Sequence, residues 1–580
     1  MIGKKRCRAT CLLLLTIFFF SQCRERIELP PGDPDNGGLF LPDGFDAVVV
    51  VDSLPGRARH IAVRDNGDIY VKSRFSKPEG RNVALRDTTN DGKADIIEAF
   101  GSYEKERSYG TAMRIYNGYL YFASELTVYR QKLVPGKLTP EGEPEEIVID
   151  DHAHGMHEHV AKPIAFDNKG NIYVPFGAPS NACQEINRTP SSPGLDPCPQ
   201  LVDHGGVWRF DANKKGQTQK DGKMVATGIR SVVAIEWNPM DEGMYLVMHG
   251  RDDLLRLWAH LYTPWQSAVL PAEEFIKITE GDNYGWPYCY YDQNQQKKVL
   301  APEYGGDGKI IGRCSEFKDP LMGFPGHWAP NDLLFYQGNQ FPERYKNGAF
   351  VAFHGSTNRA PYPQAGYFIG FIPFENGKPT GTFEVFADGF AGVDPIVNVS
   401  DAIYRPMGLA TGPDGSLYIS DTEKGKIWRV MYKGEKDNFG DAQLAKMEAR
   451  KSLAHIRQPD AVNDNLEKGI VSGGEKIFSI YCATCHQGDG KGASGRFPPL
   501  VGTDWVTGDK KRLIGILLNG LEGAIEVNGE NYINAMPQHS FLNDEEIANV
   551  LTYIRQNLGN NASEVTAKEV SDIRSALAKK

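Results

Sequence analysis

The sequence predicts a mainly β fold: a six-bladed β-propeller over residues 41–435, followed by a small all-α domain over residues 466–562. Three observations carry this. One hairpin phrase recurs six times between residues 55 and 430, the pattern then changes to helices, and a C-x-x-C-H motif (Cys482, Cys485, His486) opens the helical part. At 580 residues the chain exceeds what one hydrophobic core usually supports. With 62 Gly and 36 Pro the composition favours short strands and tight turns. A net charge of -10 offers no basic stripe, which excludes nucleic acid as a partner.

Residues 1–23 read as an export signal, because Lys4, Lys5, Arg6 and Arg8 precede an apolar run from Leu12 to Phe20. That run suits a signal core and is too short to span a bilayer. Cys23 closes F-S-Q-C and resembles a bacterial lipoprotein cleavage site, with Gln22 where a small residue is expected; a secretory signal with an incidental cysteine is the alternative. The expected location is the periplasm or cell envelope, lipid-anchored to a membrane, with residues 24–40 as a polar tether. Cys183, Cys198, Cys289 and Cys314 form two sequence-near pairs, as loop-stapling disulfides would in an oxidising compartment. Their connectivity stays open at this level.

The blades follow in order. The repeated phrase is an apolar stretch, a Gly/Asn/Asp turn and a β-rich run: IAVRDNGDIYV from Ile61, AMRIYNGYLYFA from Ala112, IAFDNKGNIYV from Ile164, AIEWNPMDEGMYLV from Ala234, LLFYQGNQFPERYKNGAFVAF from Leu333 and GLATGPDGSLYIS from Gly408. Each is a hairpin, and most are followed by a strand with an outward Arg, as in LTVYRQKL, GGVWRFDA and GKIWRVMY. Six such units with long insertions fit radial repetition. The longest insertions follow blades three, four and five and hold DDHAHGMHEHVAKP, GIRSVV, HGRDDL, EGDNYGWPYCYYD and HGSTNRAP. Connections between blades build the working face of a propeller, so the function is expected there.

Residues 436–465 read as a charged linker. In the helical domain Asn543 and Glu546 supply a capping box for IANVLTYIRQNL, which Gly559 stops, and Thr566 with Glu569 caps a terminal helix over 563–580. The motif C-x-x-C-H is the attachment signature of covalent haem: two thiols bind the vinyl groups and the histidine ligates iron. A zinc reading would want a second ligand pair, and none lies downstream. Met536, in NAMPQH, is the only methionine after His486, with His539 three residues on as the alternative sixth ligand. With Gly474, Phe478, Pro498, Pro499 and Tyr553, the domain resembles a class I cytochrome c. The resemblance implies haem c held by Cys482 and Cys485, with His486 and Met536 on the iron, as an electron acceptor.

A haem takes one electron at a time, so the propeller should hold a cofactor that collects two and releases them singly. No G-x-G-x-x-G opens a βαβ unit, which leaves quinone as the class. The insertion loops resemble the soluble, propeller-type pyrroloquinoline quinone (PQQ) sugar dehydrogenases of the glucose/sorbosone group. That resemblance implies PQQ and Ca²⁺ as cofactors, a sugar or related alcohol or aldehyde as substrate, and a downstream electron acceptor. It implies His159 as the catalytic base with Glu158 beside it, and Arg230 as a catalytic and cofactor-binding residue next to Ser231, which replaces the usual Asn. Gly250 and Arg251 would present backbone carbonyls to Ca²⁺, and Arg359 and Arg405 would grip cofactor carboxylates; a second arginine near Arg405 is missing. PQQ has three carboxylates, which suit guanidinium forks converging from several blades.

Plainer readings exist for each feature. HAHGMHEH suits a solvated or adventitiously metal-binding loop, single arginines are commonly surface ion pairs, and GDNYGWP reads as a packed turn. Asp87, Asp91 and Asp95 have half an EF-hand's spacing without the distal Glu, and His60 and His327 read as structural. Two other function classes stand beside the dehydrogenase: a glycan-binding or hydrolase-type propeller with an independent cytochrome, and an electron-transfer protein whose propeller docks a partner. Convergence of the arginines on a histidine with an acidic neighbour separates the enzyme from both.

Overall fold

The structure, a computed structural model, describes residues 29–77, 80–103, 110–152, 158–359, 362–459, 473–487, 489–492, 497–532 and 536–577. The segment read as an export signal, Cys23, His154 and His157 lie outside the described residues. Six sheets of four or five strands form the blades. Each recurring phrase is an innermost hairpin: Ala62 pairs with Tyr70, Ile115 with Leu120, Ala165 with Tyr173, Ile235 with Leu246, Leu334 with Phe350 and Ala410 with Tyr418. The alternation of apolar residues at these turns fixes the register, since a slip of one residue would turn every core side chain outward. The ring closes where strand Phe45–Val51 adds antiparallel to Ile427–Tyr432, so the first strand of the chain completes the last blade. Phe45 is held there edge-on by Phe341, Phe386 and Tyr432 at ring distances of 4.8, 5.0 and 4.7 Å.

The inner strands also carry charge into the hub. Arg114 of blade two donates to Asp332 of blade five at 2.8 Å, and Glu236 of blade four lies 3.5 Å from the same guanidinium. Burial pushes the Glu236 carboxyl up to about 7. Of the residues expected to be structural, His60 hydrogen-bonds the Asn331 carbonyl at 3.0 Å and His327 that of Ser267 at 2.9 Å. The carboxylates of Asp87, Asp91 and Asp95 accept from N–H and O–H groups of their own turn. Disulfides join Cys183 to Cys198 and Cys289 to Cys314.

Part of the segment read as a linker is a strap on the propeller. Helix Asp441–Arg450 buries Met447 against the aromatic core between blades five and six, and Ile456 is buried beyond it. Arg450 pairs with Asp388, and His455 is gripped by Asp388 at 2.9 Å and Asp394 at 3.0 Å. Composition read as solvated because its charges are numerous; their partners lie on a distant blade.

The helical domain holds helices Gly474–Tyr481, Lys510–Asn519, Asp544–Gln556 and Ala567–Leu577 among shorter ones. The first and third cross at Gly474, where an added Cβ would lie 2.0 Å from the Asn549 carbonyl oxygen, so only glycine permits the approach. Phe478 packs on Tyr553 across the same crossing. Asn543 and Glu546 form the expected capping box, and Thr566 bonds Glu569. Among the described residues no helix is long and apolar enough to cross a membrane.

Candidate active site and haem pocket

Two sites emerge, one on the insertion loops of the propeller and one in the helical domain. In the first, the cystine loop between Cys183 and Cys198 turns Asn187 and Arg188 back onto Glu158. Asn187 donates to Glu158 Oε1 at 2.7 Å, and Arg188 reaches both carboxylate oxygens at 2.9 and 2.7 Å. Burial works to raise the Glu158 pKa, but these donors outweigh it and hold the carboxyl below its ordinary value. Arg188 also bonds Asp253 at 2.6 Å and Asp252 at 3.1 Å. Glu158 therefore secures Arg188.

Arg230 is buried and almost fully engaged. Its Nε donates to the Asn181 carbonyl at 3.1 Å, Nη1 to the Gly250 carbonyl at 2.8 Å, and Nη2 to Asn181 Oδ1 and Asp252 Oδ2, both at 2.9 Å. Asn181 is itself fixed by Trp286 of the GDNYGWP turn, whose Nε1 donates to the same carbonyl at 3.1 Å. Asp252 is the hub of this group: burial would raise its pKa, yet Arg230, His327 and Arg188 hold it well below the carboxylate range. Asn358 closes the ring with a 2.7 Å bond from Nδ2 to Asp252 Oδ1.

His159 stands beside this charge. Gly177 makes room for it, because a Cβ there would lie 2.3 Å from the His159 carbonyl oxygen. Its Nδ1 donates to the Ala178 carbonyl at 2.6 Å, and since a carbonyl can only accept, the proton is on Nδ1 and Nε2 carries the lone pair. Burial, and then Arg230, lower its pKa well below the ordinary histidine value. The imidazole is thus neutral at neutral pH.

Arg359 follows Asn358 in the chain and is 1% exposed. Its Nε and Nη1 have no hydrogen-bond partner. Burial and nearby Arg457 pull its pKa down, as expected for a guanidinium that no anion faces. Arg405 belongs to a separate group: Nε donates to the His354 carbonyl at 3.2 Å, Nη2 to the Gly355 carbonyl, and Glu423 lies 3.7 Å from Nη1. The Gly250 carbonyl is committed to Arg230, and the Arg251 guanidinium forms a buried ion pair with Glu303 that does not involve the Arg251 carbonyl. Among the described residues no group of three or more His, Cys, Asp or Glu is placed to hold a metal ion.

In the helical domain Cys482, His486 and Met536 line one apolar cavity with Pro498, Leu517 and Ile554. His486 Nδ1 donates to the Pro498 carbonyl at 2.8 Å, which leaves Nε2 as the lone-pair nitrogen for iron. Cys485 is not disulfide-bonded, nor is Cys482. His539 does not line this cavity; its Nδ1 donates to the Pro537 carbonyl at 2.9 Å, its ring lies against Phe541, and its Nε2 is buried without a hydrogen-bond partner.

Sequence reasoning passed over Asp252, Arg188 and Asn181. Asp252 lies in HGRDDL, where the neighbouring carbonyls carry the expected Ca²⁺ role; Arg188 and Asn181 sit in or beside a cystine loop whose fold brings them back across the site.

Residues 39–433 match the TrAA12-like family and residues 471–557 match the Cytochrome c family. The chain is 42% identical over 111 residues to cytochrome c-552 of Thermus thermophilus, covering 17% of this chain and 83% of that protein. It is 24% identical over 236 residues to a pyrroloquinoline quinone-dependent sugar dehydrogenase of Hypocrea jecorina (strain QM6a), covering 38% of this chain and 51% of that one. The solved iodide structure of Trichoderma reesei Carbohydrate-Active Enzymes Family AA12 shares the fold, with a TM-score of 0.56 and 18% identity over 68% of this chain and 98% of that one. The chain spans about half the length of two of the curated relatives it matches.

Proposed function

Since the chain belongs to the TrAA12-like family and carries a cytochrome c domain behind that propeller, we propose that it is an exported quinohaemoprotein dehydrogenase. It oxidises a sugar or related alcohol or aldehyde at PQQ in the propeller and passes the electrons to haem c, which delivers them to a downstream acceptor. Arg359 carries this reading. A buried guanidinium without an anion is costly, and a polycarboxylate cofactor in the Asn358 loop supplies the missing partner. The sugar dehydrogenase named for the Hypocrea jecorina relative supports the same substrate class.

When bound, PQQ would supply a two-electron acceptor for the carbinol hydride, and haem c a one-electron acceptor. The chain's own residues do the rest. His159 takes the hydroxyl proton on Nε2, oriented by the Ala178 carbonyl. Arg230, held by Asn181, Asp252 and Gly250, keeps a fixed positive charge beside the base and favours the alkoxide character that develops as the proton leaves. Ca²⁺ fits poorly at Gly250, because its carbonyl already accepts from the Arg230 guanidinium.

The test is anaerobic haem reduction by a panel of sugars, with and without added PQQ. Reduction that requires PQQ is expected; equal reduction by PQQ-free protein overturns the reading. We propose further that the protein resides in the cell envelope, anchored by lipid on Cys23. Cys23→Ser should release it from the membrane fraction, and retention there would reject the anchor.

A further inference from the structure

A cleft of about 350 Å³ lies between the propeller and the helical domain. Asp253, Arg256, Thr357 and Asn358 form its propeller side, and the loop after Met536 forms the other, with Gln538 and Phe541. Its propeller side is the working face itself, because Asn358 bonds Asp252 at 2.7 Å and Arg359 is next in the chain.

The lining selects a chemistry. Asp253 takes bonds from Arg256 and Arg188, each at 2.6 Å, and Arg188 is answered in turn by Glu158 and Asp252, so the charges at the cleft are paired within the protein and neither an anion nor a cation is favoured. A purely apolar ligand would strip water from Asn358, Thr357 and Gln538 without replacing its hydrogen bonds. Phe541 is half-buried, braced by Tyr481 at 5.3 Å and His539 at 5.7 Å, and the cleft meets its remaining surface. A neutral polyhydroxylated ring satisfies all of this: a C–H face for the aromatic and hydroxyls for the amides.

We propose that this cleft is a carbohydrate-binding site shared by the two domains, in which Phe541 of the cytochrome domain is the stacking platform and determines sugar affinity. The inference rests on the dehydrogenase reading for the role of the sugar but not for its binding. Because both domains contribute, sugar occupancy and domain docking strengthen one another by the same factor.

The test is saturation-transfer NMR of D-glucose and cellobiose on the oxidised, haem-loaded full chain without PQQ. Wild type should bind, Phe541→Leu should lose about tenfold in affinity and Phe541→Trp should retain it. An unchanged far-red haem band shows that each variant is folded, and Gln538→Ala, at an exposed position, should weaken binding by a smaller factor if Phe541→Leu does not fold. Absence of binding by wild type, or equal binding by Phe541→Leu and Gln538→Ala, overturns the shared site. Binding without PQQ-dependent haem reduction would leave this site standing and reject the dehydrogenase.

Discussion

Arg230 donates to Asp252 at 2.9 Å inside the propeller, and the same carboxylate takes bonds from Arg188 at 3.1 Å and Asn358 at 2.7 Å. One anion therefore organises two cations and the loop that carries a third. Asp252→Ala should leave Arg230 without its counter-charge and cost about 3 kcal/mol in thermal or urea unfolding. The depressed pKa of Asp252 means that its stabilisation is present above the ordinary carboxylate range and lost as pH falls below it. Wild type should lose more stability on acidification than Asp252→Asn does.

Arg359 predicts opposite signs in two measurements. Arg359→Met removes a buried cation that has no partner on Nε or Nη1, so the cofactor-free protein should gain about 1 kcal/mol of stability or more. The same variant should bind PQQ at least tenfold more weakly, by fluorescence titration. A loss of stability in the cofactor-free protein would show that the guanidinium is structural.

His159→Ala should lower sugar-driven turnover by about 100-fold or more, with PQQ affinity kept. Because burial and Arg230 hold the His159 pKa well below 6.5, kcat/KM in wild type should stay flat from neutral pH down past the ordinary histidine range before its acid limb begins. An acid limb centred near 6.5 would point to another base.

Met536 is among the residues lining the haem cavity and His539 is not. The oxidised protein should show the far-red sulfur-to-iron charge-transfer band, and Met536→Ala should abolish it with haem still covalently attached. A band that disappears only on substituting His539 would contradict this ligation.

The strap has its own pH signature. Burial works against the His455 imidazolium, but the bonds to Asp388 and Asp394 prevail and raise its pKa to about 9. A raised histidine stabilises fully below its unfolded value near 6.5, and that stabilisation is lost as pH rises through about 9. It amounts to about 3 kcal/mol at most. Limited proteolysis of the strap should therefore accelerate between pH 7 and 9 in wild type, and His455→Gln should be cleaved readily at both ends of that range.

The hairpins were legible because each turn signal sits between apolar runs of strand length, Cys482, Cys485 and His486 because their spacing is local, and Met536 because it is the only methionine after them. His159 and Arg230 were singled out from the sequence, but their partners were not, since Asp252, Arg188 and Asn181 meet through loop folding that no local pattern records. The charged segment after residue 435 misled for the same reason: Arg450 and His455 are answered by Asp388 and Asp394, some sixty residues away. Pattern reports what a residue does for its own element, and burial against distant elements decides the rest.

The seam between Phe45–Val51 and Ile427–Tyr432 sets an order of events during synthesis. The first strand must wait, unpaired and apolar, until nearly the whole propeller has been made, so a nascent chain exposes a β edge that invites association with its neighbours. A chaperone that shields Phe45–Val51 would raise the yield of mature protein, and a chain truncated before Ile427 would remain its client.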